Sequence, residues 1–448
     1  MSLHPSASLP QNETPSLQSA GLVRQELLLR PDPARVVVRP FRPTTEPRDL
    51  NPTDKTRANH IVDRVLGLDP AAAKHQLLDV VEHFEGRHRD LLHTFEARAD
   101  EMEDAFEAHA SFSKVQRQLV GAYFMHEYSF EAAALFNPSI VEHPDQTGVP
   151  EGACRFVLSV RAVGEGHISS LTFRTGIVTE DGQISVDRAS HLATIPRVKE
   201  RSIGCDGECV ALEFAPGYDI SERVIFPVTL AQSNGIEDAR FVAFDDAGVR
   251  TYYATYTAYS GRAIRSELLE TKDFLSFRMS PLAGAAARNK GMALFPHRIG
   301  GRYAMIGRQD NENLYLIFSD DLMVWEGGVA ILTPRFPWEF VQIGNCGSPI
   351  AVDQGWLLLT HGVGPVRKYS IGAVLLDKDD PSRVIGRLRE PLVKPDPSER
   401  EGYVPNVVYT CGAMAHHGRI ILPYAVSDTF CSFATIGVDE LIASMQAC

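Results

Sequence analysis

From about residue 53 to 120, apolar residues recur at spacings of three and four, as in HIVDRVLGL and HQLLDVVEHFEGRHRDLLHTFEARADEMEDAF. That period lines one face of a helix, so the segment reads as a run of amphipathic helices. Asp69 followed by Pro70 predicts a helix start: the Asp side chain caps free N–H groups, and proline has no N–H to lose. The intervening charged residues, including Glu82, Glu85, Arg89 and Asp90, read as solvated faces. An amphipathic segment must pack on something, either the rest of its own chain or a second subunit of a homo-oligomer.

After about residue 122 the pattern changes to short β-branched and aromatic runs such as CRFVLSVRAV, RTYYATYTAY, LYLIFS, GWLLLTHGV and RIILPYAV. Gly, Asp, Asn and Pro separate them, which predicts strands joined by tight turns, and helices do not alternate with them as a parallel α/β sheet requires. ETKDFLSF and SDDLMVW place Asp273 and Asp321 about 50 residues apart, and LLDKDDPSRVIG follows roughly one period later. A four-stranded propeller blade has that period; the pattern alone is also compatible with a β-sandwich. The predicted organisation is a disordered Ser/Pro-rich start over 1–22, an N-terminal strand and helical segment over 23–121, and an all-β domain over 122–448. An N-terminal strand, RVVVRP, could also join that domain.

A formal net charge of −13 excludes an extended nucleic-acid surface, but not a small anion held in a local basic pocket. No apolar run approaches the ~18–20 residues of a membrane span, and no signal-peptide pattern opens the chain, so a cytoplasmic protein is expected. Seven scattered cysteines do not form a disulfide framework. Cys205 and Cys209 lack a second ligand pair at zinc spacing, so neither a metal site nor a cofactor is expected.

Candidate chemistry concentrates where polar residues enter apolar strands. In Gly235-Ile236-Glu237-Asp238-Ala239-Arg240, two carboxylates and an arginine precede an apolar run. Strand alternation points Glu237 and Asp238 to opposite faces, so they are not expected to act as a catalytic pair. Lys290 precedes a glycine and a strand, and His361 ends an apolar strand at a Gly-rich loop. Arg308, Asp310, Asn311 and Asp428 sit in amide- and carboxylate-rich stretches of the kind that bind sugar hydroxyls. Taken singly, each of these is more often a surface loop, a solvated ion or a structural side chain than a functional one.

In their order, the segments FNPS (from Phe136), GIEDAR, YTAYS, NKGMALFP, SDDLMVW, GWLLLTHGVG, YSIGAVLLD and EGYVPNVVYTCG resemble glycoside hydrolase family 130, the β-mannoside phosphorylases and related mannosidases. The resemblance implies a five-bladed β-propeller with an N-terminal helical insert. It also implies inverting phosphorolysis of β-mannosides, with β-1,2-linked manno-oligosaccharides the expected substrates, phosphate the co-substrate and α-mannose 1-phosphate the product. Asp238 takes the position of the family's acid, which acts through the 3-hydroxyl of the mannosyl unit. Lys290, His361 and an arginine, Arg265 or Arg262, match the phosphate set; Asn137, Glu237, Arg308, Asp310, Asn311 and Asp428 are the sugar-contact candidates. Ala239 and the Ala-rich PLAGAAARNK depart from the family pattern. Mannosidases of the family lack the basic set; a β-1,2-mannosidase using Glu237 or another carboxylate as base is the first alternative, and a carbohydrate-binding propeller without catalysis is the second.

Overall fold

The computed structural model describes residues 21–44, 55–102, 112–204 and 206–448. Residues 1–20 of the disordered start expected over 1–22, and Cys205 of the C-x3-C pair, lie outside the described residues, while Leu22 packs against a core cluster.

Four helices form where the 3.6-residue period predicts them: α1 (Arg57–Leu66), α2 (Pro70–Phe84), α3 (Leu91–Met102) and α4 (Lys114–Tyr123). Asp69 caps α2, its Oδ1 accepting from the N–H groups of Ala71 and Ala72 at 2.9 Å. Ser113 and Gln116 close a capping box on α4, satisfying two otherwise orphaned donors. Val62, Val65, Ala73, Met102, Leu119 and Phe124 form the core of this helical module. Two residues read as solvated instead dock the module on the β part. Arg89 forms a two-pronged ion pair with Glu222, and Asp90 accepts from the Tyr218 hydroxyl at 2.6 Å. Their partners lie more than a hundred residues away, where no local pattern could reveal them.

The rest is mainly antiparallel sheet, with a short α-helix at Val438–Ala443. The first unit is Ala134–Glu142, Cys154–Val163 and Ser169–Val178; the second is Gly235–Asp246, Val249–Tyr259, Ile264–Thr271 and Ser276–Pro281. One parallel contact, Gly235 opposite Ser169, joins these two units into a longer sheet. A third unit runs from Ala293–Leu294 to Gly328–Leu332, and a fourth from Gln342–Asn345 to Val384–Arg387. In the fifth, the chain's beginning meets its end: Val23–Leu29 pairs with Phe430–Gly437 beside Arg419–Val426. The other N-terminal strand, Val36–Pro40, pairs with Met125–Ser129 beside the helices.

Hydrophobic clusters link consecutive units. Phe173 packs with Phe241 and Phe277, Val242 and Leu268 with Met305 and Trp325, Phe295 and Ile306 with Leu358, and Leu359 with Leu422. The last unit returns to the first through Ile421 and Phe433 against Ile140 and Phe156. Each such fully buried side chain contributes roughly 1.5–3 kcal/mol of transfer free energy. The recurring acidic residues have a local cause. Asp273, Asp321 and Asp377 each accept from backbone N–H groups two or three residues on, closing the turn after a strand.

Candidate active site

The first strands of the first two units carry the same defect. Phe136 faces Arg161 and Ser139 faces Ser159, while Glu237 faces Thr257 and Arg240 faces Thr255. In each case three steps on one strand match two on its partner, which is a β-bulge with one extra residue. The residues after the last regular pair, Asn137 and Asp238, are left-handed, with φ of 50° and 53°. Non-glycine residues seldom adopt this conformation, and when the fold enforces it a functional site is a common reason. The bulge overturns the alternation expected for Glu237 and Asp238. Both carboxylates turn into one cavity, together with Arg240.

That cavity, about 340 Å³, is within the range of small-ligand sites. Asn137 Nδ2 donates to Asp238 Oδ1 at 2.6 Å. Arg161 bridges the two acids, reaching Glu237 Oε1 at 2.8 Å and Asp238 Oδ1 at 3.3 Å. Lys290 Nζ lies 4.0 Å from Glu237 Oε2. The Lys290 loop is pinned from below: Ser266 Oγ donates to the Asn289 carbonyl at 2.7 Å, and Asn289 Nδ2 donates to the Arg308 carbonyl at 2.8 Å. Arg240 donates to the Tyr409 hydroxyl at 2.9 Å. Arg308 has no ion pair among the described residues.

Unpaired polar atoms gather here, although buried polar groups normally find partners. Asn137 Oδ1, Arg161 Nε, Arg240 Nε, Arg308 Nε and Asn345 Oδ1 are buried with no hydrogen bond. The cavity therefore offers unused hydrogen-bonding groups and cationic charge, as a polar, anionic ligand requires.

The acids are tuned apart. Burial pushes the Asp238 pKa up, but the cations Arg161, Arg240 and Lys290 and the Asn137 hydrogen bond outweigh it and bring it down to about 2. Asp428, also left-handed at φ 48°, is raised to about 7, chiefly by burial. Arg161 opposes that rise, and the Asp238 charge adds to it. Burial, reinforced by Arg308 and Arg240, holds His361 far below its ordinary pKa, so its imidazole is neutral near pH 7.

Of the residues singled out in the sequence, Asn137, Glu237, Asp238, Lys290, Arg308, His361 and Asp428 line this one cavity. Four others are elsewhere. Arg265 is committed to the buried Glu267, with Nε to Oε1 at 2.7 Å, and to the Asp206 carbonyl at 3.0 Å. Arg262 is exposed on the preceding turn. Asp310 is occupied by its own turn, accepting from Glu312, Asn313 and Tyr315. Asn311 is exposed and supports the Lys290 loop by accepting from Asn289 at 2.8 Å.

Arg161, like Arg367, Tyr369 and Tyr409, lines the cavity without having been singled out in the sequence, and for Arg161 a signal exists. Arg161 and His361 occupy matching places in their hairpins: Arg161 faces Leu171, His361 faces Ile371, and Val-Gly begins two residues after each. Comparing the two hairpins would have flagged it. Among the described residues, no group of three or more His, Cys, Asp and Glu side chains is arranged to hold a metal, and no helix is long and apolar enough to cross a membrane.

A family model described as beta-1,4-mannooligosaccharide phosphorylase matches residues 218–447. The chain is similar to a 1,2-beta-oligomannan phosphorylase of Thermoanaerobacter sp. (strain X514), 35% identical over 227 residues covering 50% of this chain and 75% of that protein. It is also similar to a beta-1,2-mannobiose phosphorylase of Listeria innocua, 30% identical over 230 residues covering 50% of this chain and 63% of the relative. In three dimensions, the Listeria innocua beta-1,2-mannobiose phosphorylase in complex with beta-1,2-mannobiose aligns over 70% of this chain and 92% of that one, with a TM-score of 0.50 at 21% identity.

Proposed function

Because the chain belongs to glycoside hydrolase family 130, we propose that it is an inverting β-mannoside phosphorylase acting on β-1,2-linked manno-oligosaccharides and releasing α-mannose 1-phosphate. We read its five antiparallel units, packed in sequence with the last against the first, as the blades of a five-bladed propeller around the cavity. The observation that carries the functional reading is the group Lys290, Arg308, Arg240 and His361, which lines the same cavity as Asp238. Charge-assisted donors of this kind suit a phosphate. Arg308 takes the arginine role first sought in Arg265 and Arg262, since Arg265 is already paired with Glu267.

In the proposed reaction, phosphate oxygen attacks the anomeric carbon from the face opposite the leaving group. The C–O bond to the aglycone breaks as the new C–O bond to phosphorus-bound oxygen forms, so one displacement turns the β-linkage into an α-phosphate. The departing oxygen takes a proton from the mannosyl 3-hydroxyl, which Asp238 replenishes.

For that role Asp238 must carry a proton, yet the surrounding cations hold its pKa down to about 2. Dianionic phosphate beside Lys290, Arg240 and Arg308 would cancel much of that positive field and raise the Asp238 pKa. Phosphate then serves as nucleophile and also readies the acid. Asp428, with a pKa near 7, is a second group able to present a proton to a sugar hydroxyl.

An inverting hydrolase needs instead a free carboxylate to activate water. Glu237 is bound by Arg161 and faces Lys290, which favours phosphorolysis over that alternative. The test is incubation with β-1,2-mannobiose and longer β-mannosides, with and without inorganic phosphate. Phosphate-dependent α-mannose 1-phosphate is the expected product; free mannose released equally in both tubes refutes the proposal.

A further inference from the structure

Two rim loops at the cavity mouth share an unusual backbone. In the loop 164–168, Gly166 and His167 have φ of 67° and 59°; in the loop 364–368, Val366 and Arg367 have φ of 57° and 55°. Left-handed geometry at a β-branched residue is strained and persists only where its surroundings enforce it. Val366 is also 92% exposed, so burial does not explain its conformation. Its neighbour Arg367 lines the cavity.

The first loop reaches across to the last unit. The ring of His167 meets the hydroxyl of Tyr403 through Nδ1 at 2.7 Å, and the two rings lie 5.9 Å apart at 41°. Tyr403 is 44% exposed, and the next residue, Val404, lines the cavity. The loop is held from behind by the hairpin beside the helical module. Tyr128 Oη donates to the Glu165 carbonyl at 2.7 Å, and a side chain at Gly164 would strike the Tyr128 ring. Arg39 stacks over that ring at 4.7 Å. An exposed aromatic pair, rigidly supported at the edge of a polar cavity, offers an apolar face and hydrogen-bonding tips together. Sugar rings require that combination.

We propose that His167 and Tyr403, with the cavity-lining Arg367, form a ledge that binds the sugar units of a longer β-mannoside beyond the disaccharide spanning the cleavage point. The ledge rests on the β-mannoside phosphorylase reading and gives it a substrate length: oligosaccharides are preferred to the disaccharide. The hairpin Val36–Pro40 with Met125–Ser129 acts through it by propping the rim loop.

The test measures KM for β-1,2-mannobiose, -triose and -tetraose at saturating phosphate in the wild type and in Tyr403→Ala, His167→Ala and Tyr403→Phe. Calorimetric titration of the same sugars without phosphate runs in parallel. Tyr403→Ala is expected to raise KM for the tetraose at least fivefold more than KM for the biose, with His167→Ala in the same direction. Tyr403→Phe, which keeps the ring, should recover most of the loss. Equal effects on all lengths, or none, overturn the ledge while leaving the phosphorylase reading intact. If no mannoside is phosphorolysed, the catalytic reading falls; length-dependent binding lost in Tyr403→Ala then still supports the ledge, and length-independent or absent binding overturns it. Melting curves identify a misfolded variant, in which case the other substituted position decides.

Discussion

Gly344→Ala probes the anion site through packing alone, without removing any polar group. Gly344 pairs directly with His361 across the fourth unit, and the imidazole lies over its α-carbon. A β-carbon added there would sit 2.2 Å from His361 Cε1, 2.5 Å from Nε2 and 3.1 Å from Nδ1. Ordinary carbon contacts are about 3.5–4.0 Å, so the ring must retreat by more than about 1 Å. A hydrogen bond from the ring to phosphate would stretch beyond useful length, and one to a charged partner is worth about 1.5–3 kcal/mol. At about 1.4 kcal/mol per tenfold, KM for phosphate should rise roughly 10- to 100-fold. Overpacking adds a stability loss of about 1–3 kcal/mol, visible as a lower Tm. The assay is initial rate against phosphate concentration at saturating mannoside, and then against mannoside at saturating phosphate. A folded variant whose phosphate KM stays within about twofold of wild type would refute the assignment of His361 to the anion.

Other outcomes follow from the same geometry. Asp238→Asn should lower kcat at least about a thousandfold while the protein still melts cooperatively, because the amide cannot replace the proton passed through the sugar hydroxyl. Arg308→Ala should raise the phosphate KM strongly. Arg265→Ala should act chiefly on Tm, since it strips the buried Glu267 of its cation; such losses run to about 3–5 kcal/mol for fully buried pairs and less where, as here, the arginine is part-exposed. Asp428 has a folded pKa raised to about 7. The folded state therefore holds a proton that the unfolded chain releases near pH 4, and the contribution of Asp428 to stability is fully present below pH ~4 and lost as pH rises to 7. Asp428→Asn should consequently gain Tm relative to wild type at pH 8 more than at pH 5; a difference that is flat with pH would contradict the raised pKa.

Much of the fold was legible in local pattern, for physical reasons that can be named. Helical spacing and the Asp69-Pro70 start predict α2 because capping and amphipathicity act within a few residues. The recurring aspartates mark period because an Asx turn needs only its own N–H neighbours. Asp238, Lys290 and His361 were reachable from motif, and they line one cavity. What escaped was every choice made between distant segments. Arg265 looked available until Glu267 and Asp206 claimed it, and Arg89 looked solvated until Glu222 did the same. Glu237 and Asp238 looked opposed until a bulge turned both inward.

By itself, then, the chain's sequence determined its β-rich and helical parts, its turn repeat and the residue types of its chemistry, since these follow from short-range periodicity and side-chain identity. Which of those residues share a cavity, which cations remain unpaired for an anion, and which carboxyl keeps its proton were decided only in the tertiary structure. Ion pairing, burial and bulged register depend on residues brought together from across the whole chain.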